Sequence, residues 1–483
     1  MSDFGITRFG AYVPRLRIER SAIAGAHAWM APGLKGRAKG ARAFASWDED
    51  AVTMAVEACL DCLGSAEARY IAELRFASLN FPYADLSHGA LVASALQLGP
   101  GVRTIDHGHS QRAGTAALID GLTSERPTLV VGADNPQAKP ASTQELLYGA
   151  GAAAFFLGED RVLARLVATH SATMPFVDHF RPTGAKFDYF WEERWVRDEG
   201  YAKIVPDAVK AVLEKAQLDL SAIDHLVIPS LQSGAAQFLA RKLGFGGQVA
   251  DGLEDGVGYA GSAHPLLMLA ATLEKARPGE RILVVGFGQG ADAIILQATD
   301  VLADAHPLRG VSGNIADRID TREYLRMLSF AGNIEPDWGM RSEKVVKTAL
   351  TEQYRSQDQI DGIVAGKCKS CGTVQFPQLS YCVACNAPAE QFEQESLLGV
   401  PAEVLTFTAD WLSYYQAPPM YVGFMQFANG ARLLTEVVDV GPSGIDVGTP
   451  LRLTYRIKDR DTARGYNRYF WKATPLASAP DKD

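Results

Sequence analysis

Apolar and polar positions alternate along the first 300 residues in two distinct rhythms. Short β-rich apolar runs recur at 74–79, 128–131, 152–157, 225–228, 282–287 and 293–296. Between them lie segments whose apolar residues return at helical spacing, at 89–98, 113–122, 204–216, 235–243 and 265–276. An earlier segment, 48–63, opens on Asp48-Glu49-Asp50, acids that favour a helix N-terminus, and then repeats apolar residues every three to four positions, which predicts a helix. Strands alternating with helices of this length predict a layered α/β domain with a substantially parallel sheet.

Two runs, Val130-Val131-Gly132-Ala133 and Val284-Val285-Gly286-Phe287, share the form of a buried strand ending in glycine and point to two related halves. The second continues as Gly288-Gln289-Gly290, the outline of a dinucleotide-binding loop. It leads into another apolar run, 293–296, rather than into a helix, so the glycines are read as a turn between strands. Past residue 302 the chain becomes polar and then helix-like through 354. It ends in closely spaced strand-like runs at 402–408, 420–427, 432–439 and 450–456, the pattern of a small β-barrel.

Composition narrows the class. The chain has 483 residues, 47% of them hydrophobic and 21% charged, enough for two or three folded domains. Its formal charge of -9 argues against a protein that works by gripping nucleic-acid phosphates. No stretch approaches the roughly 18 consecutive apolar residues of a membrane helix, and no targeting segment is visible at the start, so the cytoplasm is the expected location.

Four of the six cysteines fall in Cys368-Lys-Ser-Cys371 and Cys382-Val-Ala-Cys385, two C-x-x-C pairs ten residues apart. Each tight turn aims two thiolates at one tetrahedral ion, and Gly372 permits the backbone to turn just after the first pair. A closed set of four thiolates leaves no open position for water or substrate, so a structural Zn2+ is expected; iron is the other metal such ligands select. Cys59 and Cys62 sit in a helical pattern without a second ligand pair and are read as packed thiols.

The cysteine pairs, the barrel pattern and Tyr469-Phe470-Trp471-Lys472-Ala473 together resemble the acyl-CoA-associated family that joins a rubredoxin-like zinc ribbon to an OB-fold. The first 300 residues resemble the hydroxymethylglutaryl-CoA synthase branch of the thiolase superfamily. The stretches that carry this are 10–18, Asp48-Glu49-Asp50, 149–154, Asp178-His179-Phe180-Arg181-Pro182 and Gly258-Tyr259-Ala260-Gly261-Ser262. The resemblance implies a duplicated thiolase-like α/β fold, and the boundaries drawn are 1–165 and 166–302 for its halves, 303–362 for a helical connector, 363–392 for the ribbon and 393–483 for the barrel.

The same resemblance implies a cysteine nucleophile, a glutamate acid, and a histidine with an asparagine in the second half. The chain departs at each: Gln111 stands where the cysteine is implied, Leu79 near the glutamate, Ile228-Pro229-Ser230 over the histidine and Tyr259 where asparagine is usual. An amide cannot form an acyl-enzyme, so a ping-pong condensation through Gln111 is excluded. The candidate catalytic residues are therefore His109, Ser110 and Gln111 at the nucleophile turn, and Tyr259 and His264 in the second half. A phenol and an imidazole can exchange a proton with a β-hydroxyl while amide N–H groups hold an enolate. The histidines also fit as packed loop residues, His264 also fits as a helix cap, and Tyr259 also fits as core. The aromatic and charged stretch 187–201 fits either a lid over a pocket or an amphipathic surface helix.

The function expected is C–C bond making or breaking on an acyl-CoA thioester, aldol-type, Claisen-type or decarboxylative, without a cysteine intermediate. The alternatives are a hydroxymethylglutaryl-CoA synthase or acyltransferase working through Ser110, and an acyl-CoA-binding subunit that supports a separate thiolase-like protein. The expected partners are the CoA thioester and a second copy in a homodimer, with neither nucleic acid nor membrane.

Overall fold

The structure is a computed structural model that describes residues 4–64, 70–305, 307–339, 346 and 349–476. The chain divides into two compact units, one of Met1–Ser46, Asp50–Ala90 and Gly99–Ala331, the other of Trp47–Glu49, Leu91–Leu98 and Gly332–Asp483. Part of the 303–362 stretch, namely 306, 340–345 and 347–348, lies outside the described residues.

The first unit is built on a ten-stranded sheet that repeats itself. In one half the strands run in the order Gly5–Tyr12, Gly151–Gly158, Thr128–Asp134, Glu73–Ala77 and Arg103–His107. In the other they run Ala164–Thr173, Gly290–Ala298, Arg281–Phe287, His225–Val227 and Gln248–Val249, and the halves join where Gly5–Tyr12 meets Ala164–Thr173. Each half is antiparallel across its first two pairings and parallel across its last two. This is the duplicated thiolase-like fold that the two glycine-ended strands announced. The sheet is mixed rather than substantially parallel, because each half contains two antiparallel ladders and the halves join by another, none of which a helix-and-strand rhythm reveals. The glycine run 286–290 is such a turn, joining Arg281–Phe287 to the antiparallel strand Gly290–Ala298.

Among the helices that fill the layers around this sheet, several do so for reasons visible in their residues. Ala51–Leu63 is capped by Asp50, whose carboxylate accepts from the Thr53 N–H while the Thr53 hydroxyl accepts from the Asp50 N–H. All ten residues of His264–Leu273 are buried, as its apolar run demands. It lies beside Ala113–Ser124, where Gly114 lets the backbones close up: a Cβ there would stand 2.1 Å from the Ser262 carbonyl oxygen. Gly149 is tighter still, with the Val257 carbonyl oxygen 1.9 Å from where its Cβ would be.

In the second unit, Val364–Cys368, Val374–Gln375 and Phe392–Ser396 form the small antiparallel sheet of the ribbon. A closed barrel follows, ordered Ala402–Asp410, Met420–Phe427, Arg432–Val437, Tyr466–Pro475 and Pro450–Asp461. The strand Tyr466–Pro475 escaped the pattern because its polar residues interrupt the apolar run, yet Tyr469, Trp471 and Ala473 are its buried face. Asp48 and Glu49 do not serve the helix that follows them. Both are buried in the second unit, where Asp48 pairs with Lys472 at 3.0 Å and Glu49 with Arg456 at 2.5 Å. Arg456 also reaches Asp439, at 2.6 Å, and Lys472 reaches Glu436, at 2.7 Å, so the two buried cations are surrounded by carboxylates.

Gly149→Ala is expected to lower the stability of the first unit by about 2 kcal/mol or more, the cost of forcing a methyl into packed backbone. Gly25→Ala, in the open helix Arg20–Ala26, is the control and should leave the calorimetric midpoint unchanged or slightly raised, since nothing lies within 4 Å of its added Cβ.

Candidate functional site

Two backbone devices bring distant stretches together. Tyr259 N–H donates to the Leu147 carbonyl at 2.8 Å and Gly149 N–H donates to the Tyr259 carbonyl at 3.0 Å, so 147–149 and 258–259 run side by side. Gly258, at φ +86°, makes that approach possible. In the other device, Asp134 at the end of its strand is fully buried and accepts from the Ser78 hydroxyl and the Leu79 N–H on one side. On the other side it accepts from the N–H and the hydroxyl of Ser262.

These devices leave Gln111, just ahead of the helix Ala113–Ser124, facing Tyr259. The Tyr259 hydroxyl donates to Gln111 Oε1 at 2.5 Å, and Gln111 Nε2 lies 3.1 Å from His179 Nε2. An amide nitrogen only donates, so His179 Nε2 is the acceptor and the ring carries its proton on Nδ1. That Nδ1 lies 2.9 Å from Asp178 Oδ2, while Gln289 donates to Asp178 Oδ1 at 3.0 Å. The result is a continuous chain from phenol to amide to imidazole to carboxylate. It borders a cavity of about 60 Å³ that Tyr201, Ser230 and Phe287 also line.

Electrostatics separates the members of this chain. Burial pushes the Tyr259 phenol well up, with the Tyr201 phenol and the Asp178 and Asp134 carboxylates adding to it, so at neutral pH it stays a donor. Burial alone would depress His179, but its hydrogen bond to Asp178 and the charges of Asp178 and Asp188 outweigh that and raise it above the ordinary histidine value. Phe190 stacks on the His179 ring at 5.4 Å, and Phe190, Trp191 and Val196 line the cavity. The stretch 187–201 therefore covers the cavity, with Tyr189–Phe190 paired to His179–Phe180 as a two-stranded ribbon.

The remaining sequence candidates lie at various distances from this chain. The Ser110 hydroxyl donates to the Gly288 carbonyl at 3.1 Å and accepts the Arg112 N–H at 3.2 Å. His109 is an exposed loop residue at φ +67° and is not among the residues lining the cavity. His264 is 2% exposed, with Nε2 3.0 Å from the Gly252 carbonyl and Nδ1 accepting the Ala260 N–H at 3.4 Å. Burial pulls it down to about 4, so it stays neutral and packs against the Tyr259 ring at 4.9 Å. His179 is not among the sequence candidates, although the stretch Asp178–Pro182 contains it. The available signal was an Asp-His pair in an irregular segment, a carboxylate placed to orient an imidazole.

The four ribbon cysteines converge, with their sulfurs all within 4.8 Å of one another and the pairs Cys368/Cys385 and Cys371/Cys382 at 3.6 Å. A tetrahedron with Zn–S bonds of about 2.3 Å has sulfur edges of about 3.8 Å, so the set fits zinc. Both knuckles turn through a left-handed residue, Gly372 at φ +78° and Asn386 at φ +63°. The Thr373 hydroxyl and N–H help bring Cys371 down to about 6, toward the thiolate a metal needs.

The fold is that of the thiolase superfamily, carrying an added zinc ribbon. Residues 213–297 match the model for the 3-oxoacyl-[acyl-carrier-protein] synthase III C-terminal domain, and residues 361–390 match the ChsH2 rubredoxin-like zinc ribbon domain. The hydroxymethylglutaryl-CoA synthase of Methanopyrus kandleri is 31% identical over 339 residues, 68% of this chain and 96% of that protein. That of Aeropyrum pernix is 32% identical over 320 residues, 64% of this chain and 88% of that protein. Among solved structures, HMG-CoA synthase complexed with CoA aligns with a TM-score of 0.58 at 15% identity, covering 71% of this chain and 94% of that one. The Curacin-pathway HMG synthase with holo donor-ACP aligns with a TM-score of 0.59 at 18% identity, covering 82% and all of that chain. The chain belongs to the hydroxymethylglutaryl-CoA synthase family. Among the described residues no helix is long and apolar enough to cross a membrane.

The purified chain is expected to carry one zinc ion, measured by elemental analysis. Cys368→Ser should lose it and should raise hydrogen exchange across 361–396, because metal binding and ribbon folding are one equilibrium.

Proposed function

We propose that this protein makes or breaks a carbon–carbon bond next to the thioester of an acyl-CoA by an aldol or retro-aldol route, without an acyl-enzyme. The observation that carries the reading is the amide of Gln111 held between Tyr259 and His179 at the position where the family's cysteine is implied. Among the described residues no cysteine lines the cavity; Cys59 and Cys62 are buried in the helix Ala51–Leu63, and burial pushes both thiols up.

In the cleaving direction the Gln111 amide releases His179 Nε2, whose one lone pair then takes the proton of a β-hydroxyl while Asp178 supports the imidazolium that forms. The oxygen forms a carbonyl as the Cα–Cβ bond breaks, and that bond's electron pair becomes the enolate of the shortened thioester. The enolate carbon then takes up a proton, which completes the balance. Tyr259, kept neutral by burial, and the amide N–H of Gln111 supply donors for the oxygens on which charge develops. His264 positions Tyr259 through ring contact rather than by exchanging protons. The zinc ion is structural, the barrel is read as an OB-fold module that accompanies acyl-CoA chemistry, and a homodimer is the proposed assembly.

The test is incubation with 3-hydroxyacyl-, 3-oxoacyl- and malonyl-type CoA thioesters, with mass spectrometry of products and of intact protein. C–C cleavage or condensation without a protein adduct is expected, and Tyr259→Phe and His179→Gln should each reduce it by about 10²-fold. An acyl adduct on Ser110 would replace this reading with the acyltransferase one. Loss of CO2 alone would replace it with a decarboxylase. Thioester binding without turnover, relieved only by a second thiolase-like protein, would make the chain a supporting subunit.

A further inference from the structure

The amide of Gln111, at the centre of the Tyr259–Gln111–His179 chain, can reverse its polarity without moving its neighbours, since its oxygen and nitrogen are nearly the same size and exchange places by a half-turn about the last side-chain bond. We propose that Gln111 is a rotor that decides whether the cavity accepts a hydroxyl or a carbonyl, its orientation set by whether His179 holds a proton on Nε2. The inference rests on the functional reading above for the identity of the ligand, and on geometry alone for the rotor.

With Nε2 unprotonated, only one arrangement satisfies every partner. Gln111 Nε2 donates to the imidazole 3.1 Å away, and its Oε1 accepts the Tyr259 hydroxyl at 2.5 Å. The Tyr259 proton is then committed to Gln111, and what the phenol offers a ligand is a lone pair. A ligand hydroxyl, which brings its own proton, is matched, and a ligand carbonyl finds no proton.

With Nε2 protonated, the ring has a donor where Gln111 also presents donors, and this is a buried clash of like groups that costs far more than a hydrogen bond gains. A half-turn of the amide removes it. Oε1 accepts from Nε2–H, and the amide nitrogen now donates to the Tyr259 oxygen. Tyr259 keeps its proton, because burial holds the phenol neutral, and must direct it elsewhere. The cavity then offers a donor, which fully satisfies a carbonyl or enolate oxygen but leaves the proton of a bound hydroxyl without an acceptor.

The surroundings hold the rest of the chain still while the amide turns. Asp178 is gripped by both His179 Nδ1 and Gln289, so the imidazole keeps its place in either protonation state. The charged groups facing His179 are Asp178, Asp188 and Arg181; Arg181 lies 3.5 Å from Asp188, whose other oxygen takes the Tyr148 hydroxyl at 2.8 Å. The titratable groups facing Tyr259 are Tyr201, Asp178, Asp134, Tyr148 and His264, none of which donates to its hydroxyl among the hydrogen bonds of the described residues. Burial and Arg181 oppose protonation of His179, and the hydrogen bond to Asp178 with the charges of Asp178 and Asp188 outweighs them, so the switch is shifted upward from the ordinary histidine value. In the proposed reaction the two states follow one another: the amide yields Nε2 to the β-hydroxyl, and once the proton is on Nε2 the turned amide presents Tyr259 O–H to the carbonyl just formed.

Two measurements on the full chain test the rotor, and neither needs turnover. In protein labelled with 15N-glutamine, the side-chain amide signal that is missing from Gln111→Met should shift with pH at the same midpoint as the His179 ring, and should lose that shift in His179→Gln. A Gln111 signal that ignores the His179 titration overturns the proposal. The probes for the consequence are CoA thioethers that lack the acyl carbonyl and so cannot form an enolate, one bearing a 3-hydroxybutyl and one a 3-oxobutyl group. Across the His179 titration the ratio of their affinities should change by about tenfold in favour of the oxo probe as pH falls. In Gln111→Met the ratio should be flat. A flat ratio in the native protein, a ratio that still turns in Gln111→Met, or no binding of either probe overturns the proposal. Absence of C–C chemistry with an intact switch would instead sink the functional reading alone.

Discussion

Asp134 is the constraint on which the site depends. It stands at the end of the strand Thr128–Asp134 with no exposure and accepts from Ser78, Leu79 and Asn80 on one side and twice from Ser262 on the other. Burial raises its carboxyl, and the hydrogen bonds from Ser262, Ser78 and Leu79 oppose that rise. A buried carboxylate with all its lone pairs engaged is strongly directional, because the loss of any donor leaves a costly orphan. Gly261 shows how close the fit is: a Cβ there would lie 2.6 Å from Asp134 Oδ2, at a backbone φ of +52°. Tyr259 sits two residues ahead of this turn, so Asp134 in the first half helps fix its position, together with the backbone bonds to Leu147 and Gly149 and the His264 ring.

The same clamp explains how the site tolerates the loss of its family's chemistry. Leu79, near where a glutamate is implied, is held by its backbone N–H on Asp134, and its carbonyl receives Arg181. The loop thus keeps its course whatever side chain it carries. Gly288 does the equivalent beside Gln111, since a Cβ there would stand 3.0 Å from the Gln111 Cβ. Backbone geometry around the nucleophile position is therefore specified by glycines and by one buried acid, and the reactive side chain is the part left free to change. Fold and function separate at that seam.

Much of this was legible in the sequence, and what was not has specific causes. The metal ligands announce themselves because four thiolates at knuckle spacing have few other uses, and the duplication is visible because buried strands ending in glycine repeat. Asp48 and Glu49 misled because acids ahead of a helix are a local signal, whereas their partners Lys472 and Arg456 lie more than 400 residues away in sequence. His179 lies in an irregular stretch with no periodicity, 68 residues from Gln111, and only the fold reveals that Asp178 orients it. The edge strands Arg103–His107 and Gln248–Val249 are short or polar and leave no run to detect. His264 carries the converse lesson, because a histidine in a promising loop has both nitrogens spent on backbone.

A thiolate and an amide impose different demands on the same pocket. A thiolate needs a positive neighbour that lowers its pKa and an acid that later returns the proton; an amide needs one donor and one acceptor at fixed positions, because it cannot change its charge. The pocket supplies that pair, the Tyr259 hydroxyl against Oε1 and the His179 lone pair against Nε2, within 3.1 Å on each side. Burial of the phenol and the Asp178 carboxylate behind the imidazole push the two partners in the directions that keep one a donor and leave the other able to change protonation state. A glutamine left behind by the decay of an active site would have no reason to find both neighbours tuned in this way. The tuning extends beyond the amide itself, to Gln289 on Asp178 and Phe190 over the imidazole, so both the carboxylate and the ring are held in place.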